Sequence, residues 1–160
     1  MSATEPAAAE GSAADPLTAA DALPDAKLPL GRLGYGAANV GNLFRALSDE
    51  ESWAILETAW DVGMRYFDTA PHYGLGLSER RLGAFLQTKP RDEFVLSTKV
   101  GRLLRPNPDY TDQLDTDNDF FVPADVKRVW DASADGIRAS HDESPERMGH
   151  DRIDVLYLHD

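Results

Sequence analysis

Phe94-Val95-Leu96-Ser97-Thr98-Lys99-Val100 is a short run that opens apolar and carries a lysine next to its end, and it reads as a buried strand. Before it, Ser78 begins an amphipathic stretch in which Leu82, Phe85 and Leu86 recur at helical spacing until Lys89-Pro90 ends it. Earlier still, Met64-Arg65-Tyr66-Phe67-Asp68 is a second short apolar run. Ser48-Asp49-Glu50-Glu51 has the spacing of a capping box, which starts a helix running to about Val62. Ile55, Leu56, Ala59, Trp60 and Val62 lie on or near one face of that helix, and Gly63 stops it. The glycine-broken run from Leu28 to Ala38 fits a hairpin or short strand leading into the first strand of the domain. After a long loop, Ser133 caps a third helix, and Ile153-Asp154-Val155-Leu156-Tyr157-Leu158-His159 is a fourth strand. The third helix contains Pro145, which removes a hydrogen bond and clashes with the previous turn at a cost of ~3 kcal/mol, so a kink or break is expected near Glu143.

The order is thus β-α-β-α-β-α-β, which belongs to a parallel sheet. An open nucleotide-binding sheet would place Gly-x-Gly-x-x-Gly after its first strand, but Gly34-Tyr35-Gly36-Ala37-Ala38-Asn39 has Asn39 in the third glycine's place. A (β/α)8 TIM barrel is the expectation. A full barrel takes ~250 residues, and residues 27–160 supply about four β/α units, its N-terminal half. Residues 1–26 are Ala, Pro and acid with little to bury, and are read as a flexible tail.

In a barrel the C-terminal ends of the strands converge on one mouth. Three strands here end in or beside a polar residue: Asp68, Lys99 and His159. Tyr73 lies in the loop that follows Asp68. Together these types support proton transfer to a carbonyl oxygen. A tyrosine is a poor acid at its free pKa of ~10, and a nearby ammonium such as that of Lys99 favours the phenolate. Asp68 pairs with the lysine so that no ammonium is left unpaired, and His159 hydrogen-bonds the substrate oxygen.

The segments Tyr66-Phe67-Asp68-Thr69-Ala70-Pro71-His72-Tyr73-Gly74-Leu75-Gly76-Leu77-Ser78-Glu79, Leu96-Ser97-Thr98-Lys99-Val100-Gly101-Arg102 and Asp154-Val155-Leu156-Tyr157-Leu158-His159-Asp160 resemble three successive signatures of the aldo-keto reductase superfamily. Within it, Ala70 to Gly83 and Lys99 to Leu104 are most similar to the aldose 1-dehydrogenase branch acting on D-threo-aldoses and L-fucose. The resemblance implies an NAD(P)-dependent oxidoreductase that moves hydride between nicotinamide and an aldose or aldehyde carbonyl. It makes Tyr73 the proton donor or base, Lys99 its modulator, Asp68 the partner of Lys99, and His159 the residue that orients substrate. Gly36, Ala37 and Ala38 in the first loop, together with Asp68, are the cofactor-side residues it implies. Most of the family's cofactor contacts come from the later strands.

Composition bounds the partners. The net charge of −12 argues against nucleic acid and anionic membrane, and there is no long apolar run or secretory leader, so a cytoplasmic protein is expected. Five acids in residues 1–26 and six in residues 106–125, with no Lys or Arg in either, read as solvated acidic segments. His141 and His150 lack ligand spacing, so no metal is expected. A half barrel has open strand edges, and Val155-Leu156-Tyr157-Leu158 is an apolar one, so self-association of the chain alone is expected. The alternative function is a non-catalytic half barrel or inactive paralogue acting through a partner chain.

Overall fold

Ser48 starts the first helix as its sequence requires. In the computed structural model, its Oγ accepts the Glu51 N–H at 3.1 Å, and Glu51 Oε2 accepts the Ser48 N–H at 2.8 Å. Such caps stabilise a helix by about 1 kcal/mol. The structure describes residue 31 and residues 33–159; the expected tail and the start of the first apolar run lie outside the described residues.

The elements are β1 (Tyr35–Gly36), α1 (Asp49–Asp61), β2 (Tyr66–Asp68), α2 (Leu77–Leu86), β3 (Val95–Val100), β4 (Arg102–Pro106), β5 (Val126–Trp130), α3 (Ala134–Met148) and β6 (Val155–Leu158). Strands β1, β2, β3 and β6 form one sheet in that order, every pair parallel, with Asp68 opposite Ser97 and Lys99 opposite Tyr157. The expected strand and helix alternation is therefore present, with one addition. Where a loop was expected between the third strand and third helix, β4 and β5 pair antiparallel as a separate two-stranded ribbon.

Side chains alternate across the parallel strands. Phe67 of β2 and Leu96 of β3 point to the helices and are fully buried against Leu56, Leu82, Phe85, Leu86 and Met148. Trp60 stacks on Phe67 at 6.3 Å. Thr98 faces the same way, and its hydroxyl donates to the fully buried Glu79 of α2, which also accepts from Arg147 of α3. That carboxylate ties two helices to one strand.

Three expectations need correction. Helix α2 begins one residue before the expected Ser78, at Leu77, following Gly76 at its cap with φ +80; the buried Ser78 hydroxyl donates to the Ala37 carbonyl at 2.7 Å and lies 2.8 Å from the Thr69 hydroxyl. Helix α3 runs unbroken through Pro145. The carbonyl that loses its partner is that of His141, on the exposed side where solvent can bond it. Ser140, Ser144 and Met148 are meanwhile buried, and the Pro145 carbonyl accepts both Gly149 and His150 N–H groups. Finally, the acidic segment 106–125 is not wholly solvated. Asp115 is 7% exposed and paired with Arg128 of the ribbon.

No helix among the described residues is long and apolar enough to cross a membrane. At the sheet's outer edge, Leu156, Tyr157 and Leu158 are 42%, 46% and 61% exposed. Replacing Arg147 by Met would leave the Glu79 carboxylate buried without its cation, and the expected loss is about 3–5 kcal/mol of stability, read as a lower urea midpoint with unchanged slope.

Candidate active site

The inner face of the same strands carries Tyr66, Asp68, Ser97, Lys99 and Tyr157, and it is polar where the outer face is apolar. Lys99 Nζ donates to Asp68 Oδ2 at 2.6 Å and to the Thr69 carbonyl at 3.0 Å. Both side chains are largely buried, the lysine 15% and the aspartate 26% exposed. The other aspartate oxygen accepts from Ser97 Oγ at 2.7 Å. With two of its three donors committed, the ammonium sits 4.7 Å from the centre of the Tyr73 ring. His159 follows β6; its N–H donates to the Val100 carbonyl at 2.9 Å, and its ring lies edge-on to Tyr73 with centroids 5.9 Å apart. The fold thus brings all four expected catalytic residues into one chain of contacts, Asp68 to Lys99 to Tyr73 to His159.

Of the cofactor-side residues, Gly36 and Asp68 line an open cavity of about 500 Å³ with Gly34, Tyr35, Tyr66, Lys99 and Tyr157. A Cβ on Gly36 would meet nothing within 4 Å. Ala37 does not face this cavity. Its side chain is fully buried in the core, its N–H donates to the Asp68 carbonyl at 2.8 Å, and its carbonyl is taken by Ser78. Ala38 is half-buried at the entry to a short 3-10 turn over Asn39–Gly41 and does not line the cavity either.

Several neighbours were not singled out from sequence. Ser97 and Tyr66 precede Lys99 and Asp68 by two positions, so strand alternation alone would have put them on the same face. The Tyr66 hydroxyl lies 3.1 Å from Ser97 Oγ, whose own proton goes to Asp68, and 3.0 Å from the Tyr157 hydroxyl. Burial, partly offset by the Ser97 hydrogen bond and reinforced by Tyr157, pushes the Tyr66 phenol up to about 12. His72 lies beside both Tyr73 and His159, with ring centroids 6.0 and 5.4 Å away. Burial first, then the charges of Arg128 and Arg102, push its imidazole down to about 3, so it is neutral at physiological pH. No sequence signal marked His72, because its surroundings come from residues far along the chain.

The loop bearing Tyr73 is held by backbone as well as side chains. Gly74 has φ +60, and a Cβ there would fall 2.1 Å from the Gly41 carbonyl oxygen; one on Gly41 would fall 2.9 Å from the Tyr73 carbonyl. Each position therefore excludes a side chain.

Known proteins resemble this chain in sequence and in fold. The profile of the Aldo/keto reductase family matches residues 32–160. D-threo-aldose 1-dehydrogenase from a Pseudomonas species is 67% identical over 161 residues, covering 100% of this chain and 44% of that protein. Pyridoxal 4-dehydrogenase from Microbacterium luteolum is 41% identical over 134 residues, covering 80% of this chain and 39% of that one. The solved structure of the glycerol dehydrogenase from Gluconobacter oxydans is similar with a TM-score of 0.65 at 26% identity, over 89% of this chain and 40% of that chain. The chain spans less than half the length of each of these relatives. The pattern of motifs, the parallel strands and these matches agree: the chain belongs to the aldo/keto reductase family, and it carries the N-terminal half of that family's (β/α)8 barrel.

Proposed function

We propose that this chain supplies the proton-transfer set of an NAD(P)-dependent oxidoreductase acting on an aldose or aldehyde carbonyl. The observation that carries the reading is the placement of the Lys99 ammonium, bonded to Asp68 at 2.6 Å on one side and 4.7 Å from the Tyr73 ring centre on the other. A fixed positive charge beside a phenol stabilises the phenolate that forms when the proton leaves. In reduction, Tyr73 gives its proton to the carbonyl oxygen; in oxidation, the same oxygen takes the proton from the hydroxyl of the substrate. His159 orients that oxygen from the other side of the Tyr73 ring. Burial raises the Tyr66 phenol, which disfavours release of its proton.

The residues present fit the reactive end of a nicotinamide cofactor. Gly36 leaves open space at the end of β1, and Asp68 and Lys99 line the same cavity. The bound nicotinamide would supply or accept the hydride. The aldose assignment is supported by the 67% identity to a D-threo-aldose 1-dehydrogenase, and a cytoplasmic setting is part of the same proposal. Because residues 1–160 hold four parallel strands of the barrel, they have little turnover by themselves and need a polypeptide supplying the others.

A second reading, a half barrel that works by binding another chain, is favoured by the exposed apolar residues of β6. The same edge supports self-association of the isolated polypeptide.

Two outcomes test these readings. With an aldose and NAD+ or NADP+, and the remaining strands supplied in trans from the second half of the relative, Tyr73→Phe is expected to lower turnover about 10²–10⁴-fold; turnover equal to that of the unsubstituted chain would remove Tyr73 from the mechanism. By sedimentation, residues 1–160 alone are expected to be oligomeric and to dissociate when Leu156 and Leu158 are replaced by Lys. A monodisperse monomer before substitution would dismiss the edge as an interface.

A further inference from the structure

Arg128 bonds the ribbon β4–β5 to the loop bearing Tyr73, beside the apolar contacts of Leu104 and Val126 with the same cluster. Arg128 of β5 is 10% exposed, and its Nη1 and Nη2 donate to Asp115 Oδ1 and Oδ2 at 2.9 and 2.6 Å. This two-pronged pair closes the ribbon's long connection, in which Asp115 also accepts from Asn118 at 2.8 Å. Nη2 makes one more bond, to the carbonyl of His72 at 2.8 Å. That carbonyl belongs to the peptide joining His72 to Tyr73. The guanidinium carbon also lies 5.8 Å from the Phe120 ring centre. Phe120, 2% exposed, packs in turn on Tyr73 at 6.3 Å and on His72 at 5.4 Å. Leu75 and Val122 complete the cluster in which the Tyr73 ring is seated.

The Asp115 carboxylate takes two of the guanidinium N–H groups and the His72 carbonyl takes another, so the arginine that closes the ribbon is bonded to the loop bearing Tyr73 as well. The bond to His72 restrains the chain on the N-terminal side of Tyr73, and Phe120 packs against its ring. We infer that Arg128 is a positioning residue for Tyr73, holding the phenol in place relative to the Lys99 ammonium through the His72 carbonyl and the Phe120 ring. The significance for catalysis rests on the reading of Tyr73 as proton carrier; the tether itself does not.

The turn around Tyr73 offers a direct readout, because the Tyr73, Leu75, Gly76 and Ser78 N–H groups all donate to carbonyls within residues 70–74. Hydrogen-exchange mass spectrometry on the 160-residue chain would compare Arg128→Met, the double variant Arg128→Met with Asp115→Met, and Met148→Ala, a cavity in the main core far from the ribbon. The double variant removes both charges and refills the ribbon with apolar volume, which restores such sites without restoring the third bond. The expected result is that residues 72–78 lose protection about tenfold in both Arg128 variants. Residues 102–130 regain theirs in the double variant, and Met148→Ala leaves residues 72–78 unaffected relative to the core.

The inference is overturned if Arg128→Met leaves the turn protected, if the double variant restores the turn together with the ribbon, or if Met148→Ala loosens the turn as much. Should Arg128→Met fail to fold, the double variant decides alone. In the complemented enzyme, the same substitution is expected to lower kcat at unchanged KM, the mark of a misplaced proton carrier. If Tyr73→Phe leaves turnover intact, the role of Tyr73 falls while the exchange result still stands or fails by itself.

Discussion

A lysine ammonium at a strand end, shielded to 15% exposure, has to be neutralised where it stands, and Asp68 on the neighbouring strand meets that demand. The pairing depends on register. Asp68 lies opposite Ser97, so its carboxylate receives Ser97 on one oxygen and Lys99, two residues further along the same face, on the other. A slip of one residue would swing Lys99 to the helix side, where Thr98 now meets Glu79. Desolvation consumes much of what such an ion pair gains, so its contribution is geometric definition more than stability.

Three consecutive residues of β3 show how the strand serves two purposes. Ser97 and Lys99 belong to the inner network that leads through Asp68 to Tyr73. Thr98, pointing the other way, belongs to an outer network with Glu79 and Arg147 that fastens α2 and α3 to the sheet. Thr98, Glu79 and Arg147 come from three different elements. The helix layer is therefore set in the same register as the site, and a disturbance in one is felt by the other through a single strand.

Much of this was legible in the sequence where the cause is local. The Ser48 and Glu51 cap, the strands ending near Asp68, Lys99 and His159, and the helix begun by Ser133 rest on neighbours within a few residues. Legibility failed where the decisive partner is remote. Asp115 looked like one more solvated acid, because its arginine lies on another strand of a ribbon hidden among acids, Pro and Asn. Ser78 was read as the first residue of its helix, and nothing local showed that its hydroxyl would bond the Ala37 carbonyl 41 residues earlier. Pro145 promised a break, but the helix around it is buried at Ser140, Ser144 and Met148 and bears the defect on its wet side. Ala37, expected on the cofactor side, points into the core because it follows the cavity-lining Gly36 and alternation puts it on the opposite face.

The backbone contact between Gly41 and Gly74 has a consequence for when order is acquired. Two chain segments that touch without side chains between them cannot slide or part without breaking the shape of both. The loop after β1 and the turn carrying Tyr73 therefore behave as one stiff body, already settled before any small molecule arrives. The conformational entropy of placing the Tyr73 phenol is therefore lost during folding.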